Sequence, residues 1–120
     1  MHPANLALRF ALEIAALAGI GAWAWAMTAG WLRPVAVLGA VAAAALLWTL
    51  FNVPGDPSRS GAAPVAVPGW ARLILELAIL LGGALAFHRA GHSGPGAALA
   101  GLVVLHYALS GDRLAWLLRQ

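Results

Sequence analysis

The stretch LRFALEIAALAG, residues Leu8–Gly19, places an arginine and a glutamate four positions apart in a segment that is otherwise apolar. A helix needs about 20 mainly apolar residues to cross a bilayer, and apolar side chains extend from this stretch over residues 5–27. Arg9 and Glu13 can neutralise each other because i,i+4 neighbours share one helical face. Glu13 fits poorly in the apolar region of a cleaved signal peptide, so we expect a retained membrane helix.

Composition places the whole chain in the membrane class. The 120 residues are 62% hydrophobic and only 9% charged, with a mean hydropathy of +0.86, whereas about a quarter of a soluble chain is commonly charged. The net charge of +3 is thinly spread, which favours membrane lipids as partners and argues against nucleic acid. The chain contains no cysteine, so disulfides and thiolate metal sites are excluded.

Four apolar segments are long enough to form membrane helices. They cover approximately residues 5–27, 34–52, 68–88 and 95–110, with an extension of the last to residue 118 left open. Residues 53–67 form a longer connection rich in Pro, Gly and Ser, which we expect to be a mobile linker. The sequence predicts an all-α, integral membrane four-helix bundle, one domain over residues 1–120, built from two antiparallel helical hairpins.

The opening stretch has a counterpart in the third segment. Residues 71–82, ARLILELAILLG, match residues 8–19 at six of twelve positions, including Arg72 with Arg9 and Glu76 with Glu13. The first and third helices of such a bundle run in the same direction. The match therefore predicts two hairpins related by a parallel pseudo-twofold repeat.

Arginine distribution predicts the orientation of the helices. If both termini lie on one side, that side carries five arginines and the other carries two, Arg33 and Arg89. We therefore expect both termini to be cytoplasmic, in a multi-pass protein of a bacterial inner membrane.

Most polar side chains able to do chemistry are predicted to lie in the cytoplasmic half of the bundle. The candidate ligand-binding residues are Arg9, Glu13, Trp48, Asn52, Arg72, Glu76, His106 and Ser110. One interpretation is structural: two Arg–Glu pairs, hydrogen bonded to Asn52 and His106, fix the helix register. The other is functional, because charges in membrane helices commonly mark binding sites or proton pathways.

Three functions fit this cluster. The preferred one is binding or transport of a small molecule, a lipid or a proton, within a monomer or a homo-oligomer. The first alternative is a membrane-embedded acid–base enzyme, an isomerase, cyclase or hydrolase, in which Glu13, Glu76 and His106 are the candidate catalytic residues. The second is a structural or accessory membrane subunit. No cofactor or metal is predicted, because His88 and His92 in HRAGH have no third ligand nearby.

Several motifs together resemble a known family. NLALRFALEIAAL at residues 5–17, LWTLFNVP at 47–54, RLILELAI at 72–79 and LHYALSGDR at 105–113 are similar to the YrdB-like family of small uncharacterised bacterial membrane proteins. The resemblance covers nearly the whole chain. It implies a four-helix integral membrane protein and brings no activity or catalytic residues with it.

Overall fold

The protein is helical, with one very short pair of strands. The computed structural model describes residues 1–59 and 61–120; of the predicted linker, Ser60 lies outside the described residues. The elements are α1 (Pro3–Ala26), α2 (Leu32–Leu50), β1 (Phe51–Asn52), β2 (Val65–Ala66), α3 (Gly69–Arg89), α4 (Ser93–Ala108) and α5 (Gly111–Leu118).

Three of the helices, α1, α2 and α3, are each long and apolar enough to cross a membrane, and α4 with α5 passes the same test as one bent pair. Large apolar side chains cover the outside, among them Phe10 at 64%, Leu38 at 71% and Val104 at 66% exposed. Soluble monomers rarely expose so much contiguous apolar surface. The apolar helices therefore suggest a membrane protein.

The second helix ends earlier than predicted. The sequence predicts a helix to Asn52, but α2 stops at Leu50, and Phe51 and Asn52 pair in parallel with Val65 and Ala66. The end is held by side chains: Asn52 Nδ2 donates to the Thr49 carbonyl at 2.5 Å. The predicted mobile linker is therefore tied to the helix end by β1 and β2.

The fourth helix does not extend to residue 118 as one element. It ends at Ala108, and α5 leaves it at an angle of 73°. Ser110 Oγ donates to the His106 carbonyl at 2.7 Å at this break. α5 then packs beneath α3, where a Cβ on Gly69 would collide with the carbonyl of Leu117. The bend therefore directs the chain back under the bundle.

α3 is the central helix and contacts all four of the others. α1 and α3 run in the same direction, because Arg9 meets Glu76 while Gly19 meets Gly83 further along both helices. A Cβ on either glycine would overlap the facing backbone, so these two residues permit the close crossing. α2 is peripheral, with only Ala44 and Trp48 buried.

The core is apolar at one end and polar at the other. Its apolar part is built around Leu12, Ala16, Leu80 and Val103. At the other end the buried side chains are polar or charged: Asn5, Arg9, Asn52, Asp56, Arg72, Glu76, His106, Ser110 and Arg113. The buried faces of the helices thus form an apolar core that is followed by a charged cluster at one end of the bundle.

Candidate functional site

Glu76 lies at the centre of the charged cluster. Its side chain on α3 is fully buried and accepts six hydrogen bonds. Arg9 donates two, at 3.3 and 2.7 Å, and Arg113 two, at 2.9 and 2.7 Å. Arg72 Nε and Tyr107 Oη donate one each, at 2.7 Å. Both carboxylate oxygens are therefore saturated, and Glu76 holds four helices together.

Arg72 links Glu76 to the end of α2. Its Nη1 donates to the carbonyls of Trp48 and Phe51, at 2.6 and 2.8 Å. These carbonyls have no partner further along the helix, and a cation is favoured at a helix C-terminus. The guanidinium groups of Arg9 and Arg72 also lie over the Trp48 ring, 5.0 and 4.6 Å from its centroid. Trp48 is therefore an aromatic wall of the cluster.

Arg113 connects the cluster to the linker. Its Nε and Nη2 donate to the two carboxylate oxygens of Asp56 at 2.9 and 2.6 Å. Ser58 adds bonds to Asp56 from its backbone N–H and its hydroxyl, at 2.9 and 2.8 Å. Burial alone would raise the pKa of Asp56, but the hydrogen bonds from Arg113 and Ser58 outweigh it and hold that pKa below its usual value.

His106, Asn5 and Ser110 form a separate buried chain of hydrogen bonds. His106 Nδ1 lies 2.8 Å from Asn5 Oδ1, and Asn5 Nδ2 donates to Ser110 Oγ at 2.8 Å. Because Asn5 Oδ1 can only accept, we assign the donor role, and hence the proton, to Nδ1 of the neutral ring. His106 thus orients α1 against α4 and makes no bond to either glutamate.

Glu13 has a different environment from its sequence counterpart Glu76. Its side chain is 25% exposed, and its nearest cation is Arg9 Nε at 3.6 Å. It borders a crevice of about 130 Å³ between α1, α2 and α3. The other lining residues are Ile14, Leu17, Ala44, Ala45, Trp48, Thr49 and Ile79. Of the two glutamates in the matching stretches, Glu13 is therefore the one that remains accessible.

The structure brings most of the predicted ligand-binding residues to one end of the bundle but pairs them differently. Arg72 and Glu76 form the expected i,i+4 pair, whereas Arg9 bonds to Glu76 more closely than to Glu13. The expected bonds from the pairs to Asn52 and His106 are absent among the described residues; their partners are the Thr49 carbonyl and Asn5. Asn52 and His106 are therefore held by neighbours other than the two Arg–Glu pairs.

The three candidate catalytic residues do not share a cavity in the described parts of the chain. Glu76 is saturated, His106 is bonded to Asn5, and Glu13 alone borders the crevice. Within residues 1–59 and 61–120, no group of three or more His, Asp or Glu side chains is arranged to hold a metal ion. The geometry thus offers one accessible acid next to a rigid cluster.

Four members of the cluster were not among the predicted site residues: Asn5, Asp56, Tyr107 and Arg113. Asp56 and Arg113 were available as the oppositely charged residues flanking the second and fourth apolar segments. Their pairing crosses 57 positions of sequence, however, and depends on the bend before α5. The spacing of residues in the sequence therefore does not predict the Asp56–Arg113 pair.

Comparison with known proteins gives two matches. The model of a family described as "Protein of unknown function (DUF2568)" matches residues 7–104. The "Uncharacterized protein YrdB" of Bacillus subtilis (strain 168) is 39% identical over 120 residues, which cover 100% of this chain and 98% of that protein. No solved structure matches. The resemblance predicted from the sequence motifs is confirmed.

Proposed function

Because the chain belongs to the DUF2568 family, whose description assigns no activity, we propose a function from the geometry of its own charged residues. The protein is an inner-membrane binding protein in which Glu13 exchanges a proton for a lipophilic cation. The arginine cluster around Glu76 is the rigid frame that positions α1, α2 and α3 around this carboxylate.

The proposal includes four membrane spans with both termini in the cytoplasm. Three apolar helices and the bent α4–α5 pair support the number of spans. The excess of arginines at the terminal side supports the orientation. In this arrangement Glu13 and the charged cluster lie in the cytoplasmic half, and the two hairpins are the units of the proposed pseudo-twofold repeat.

The observation that carries the proposal is the contrast between the two repeated glutamates. Glu76 accepts six hydrogen bonds and is fully buried, so it has no capacity left for a ligand. Glu13 has one cation at 3.6 Å, and Arg9 is itself already bonded to Glu76. Glu76 is thus structural, and Glu13 is available to bind a ligand.

The crevice favours a cation with an apolar body. Its walls are mostly aliphatic, so a carboxylate facing it needs a counter-charge from a proton or a cation. Ile79 also lines a groove of about 440 Å³ that includes Leu47, Leu75 and Leu85. A ligand with its charge at Glu13 can therefore extend an alkyl chain into this groove.

Calorimetric titration in a neutral detergent tests the proposal with a matched series of octyl compounds. Octyltrimethylammonium should bind the wild type, release protons in weak buffer, and bind at least tenfold more weakly to Glu13→Gln. Octanol and octyl sulfate should not distinguish the two proteins.

The control variant is Asp112→Asn, which removes a carboxylate whose side chain is 67% exposed. It should bind octyltrimethylammonium like the wild type. The proposal is wrong if the wild type does not bind the cation, or if Glu13→Gln binds it equally well.

A further inference from the structure

A second cavity lies at the linker, apart from the Glu13 crevice. Its volume is about 230 Å³, enough room for several water molecules. The described residues that line it are Asn52, Val53, Gly55, Asp56, Arg59 and Gly61. None of them borders the Glu13 crevice. The two cavities thus differ in chemistry, since this one is lined mainly by polar residues and backbone.

Two polar atoms of this cavity's lining residues have no partner among the described residues. Asn52 is 1% exposed, and its Nδ2 is already used by the Thr49 carbonyl, while its Oδ1 accepts nothing. The buried Nε of Arg59 donates to nothing. Buried polar groups are nearly always hydrogen bonded, so both atoms call for a partner. Both residues line this cavity, so one ligand that donates to Asn52 and accepts from Arg59 could satisfy both atoms.

The buried charged cluster together with Arg59 carries more positive than negative charge. Four guanidinium groups accompany two buried carboxylates: Arg9, Arg59, Arg72 and Arg113 with Asp56 and Glu76. The excess is two positive charges, or one if Glu13 is counted as ionised. Uncompensated charge is unfavourable away from water. An anion in the linker cavity would reduce this excess.

The loop leaves the Arg59 guanidinium room to face the cavity. A Cβ on Gly61 would come within 3.2 Å of Arg59 Nη2, so a side chain there would crowd the guanidinium. Gly55 has a φ of +79°, which is strained for other residues. The carboxylate of Asp56 is neutralised by its paired bonds to Arg113, so it opposes an anion only weakly.

We propose that the linker cavity binds a phosphate group that carries a hydroxyl. The phosphate oxygens accept from Arg59, and the hydroxyl donates to Asn52 Oδ1. In the proposed orientation the cavity lies at the cytoplasmic face of the membrane. The hydroxylated phosphate can therefore come from free phosphate or from the glycerol phosphate headgroup of phosphatidylglycerol.

The test measures thermal unfolding in neutral detergent with and without inorganic phosphate, and in nanodiscs of phosphatidylglycerol or phosphatidylcholine. We expect a rise in melting temperature with phosphate, with phosphatidylglycerol, or with both, relative to sodium chloride of equal ionic strength and to phosphatidylcholine. A rise with phosphate identifies a soluble source. A rise only with phosphatidylglycerol identifies the lipid headgroup.

Arg59→Gln should abolish the rise. Its matched control, Arg119→Gln, removes an exposed arginine outside the linker cavity and should keep the rise. Asn52→Asp keeps the side-chain shape but puts a negative charge beside the phosphate, so it should weaken the effect as well. The proposal is overturned if neither phosphate source raises the melting temperature, or if Arg59→Gln and Arg119→Gln respond alike.

Discussion

Glu13 and Glu76, the glutamates of the two matching stretches, are predicted to contribute very differently to stability, and Glu76→Gln is the change that tests this. Glutamine preserves the volume but removes the negative charge at the centre of three guanidinium groups. It also replaces one acceptor oxygen by an NH₂ donor, which would face the donors of Arg9, Arg72 and Arg113. The arginines would then be buried without their shared counter-ion.

Removing one partner of a buried ion pair costs about 3–5 kcal/mol, because the remaining charge is left uncompensated. Glu76 is shared by three arginines and is fully buried, so we expect a loss of at least about 3 kcal/mol. Glu13→Gln is the matched control, at the position that aligns with Glu76 in the sequence. Its ion pair with Arg9 is 3.6 Å long and its side chain is 25% exposed, so we expect a loss below about 1 kcal/mol.

The assay is reversible unfolding in mixed micelles with increasing sodium dodecyl sulfate, followed by tryptophan fluorescence and circular dichroism. Both variants are compared with the wild type at one lipid composition and one pH. Equal destabilisation by the two variants, or a loss below about 1 kcal/mol for Glu76→Gln, would refute the assignment of Glu76 as the structural centre.

Two further predictions concern the helix crossing and the linker. Gly83→Val should destabilise the protein by about 1–3 kcal/mol or more, because a Cβ there would meet Ala16 Cα at 2.5 Å. Gly82→Val should be tolerated, because nothing lies within 4 Å of a Cβ at that position. The same unfolding assay compares the two variants, and similar losses of stability would contradict the close crossing of α1 and α3. The Asp56–Arg113 contact should weaken in acid, because the folded-state pKa of Asp56 lies below its ordinary value of 3.8. The contribution of Asp56 to stability is therefore complete above pH 3.8 and is lost as the pH falls through the folded-state pKa. Protection factors of the linker amides, which are exchange rates relative to the intrinsic rate at each pH, should therefore fall at low pH in the wild type. They should be low at every pH in Asp56→Asn. Wild-type protection factors that do not change with acid would contradict this.

Some of the site could be predicted from local spacing. Arg72 and Glu76 are four positions apart on a helix, and their ion pair follows from helical geometry alone. The same rule applied to Arg9 and Glu13 finds a contact of 3.6 Å, but it misses the stronger bonds from Arg9 to Glu76. Those bonds depend on how α1 and α3 are rotated about their axes, which the i,i+4 rule does not determine.

Other parts of the site depend on contacts between distant segments. Tyr107 reaches Glu76 across the α3–α4 contact, and Arg113 reaches it only because α5 turns back by 73°. Asp56 belongs to a segment predicted to be mobile on composition, yet its carboxylate is held by Arg113 and Ser58. Composition reports average flexibility, and it does not reveal one buried charge pair.

Hydropathy, motifs and helical periodicity are local properties, so the apolar helical segments, the family and the two R-x-x-x-E patterns could be predicted from the sequence alone. Which glutamate is bonded by several arginines and which stays accessible depends on how the helices pack. The close crossing at Gly19 and Gly83 sets α1 beside α3 and brings Arg9 to Glu76. Glu76 binds three arginines and is therefore structural. Glu13 binds none of them as closely and remains at the crevice.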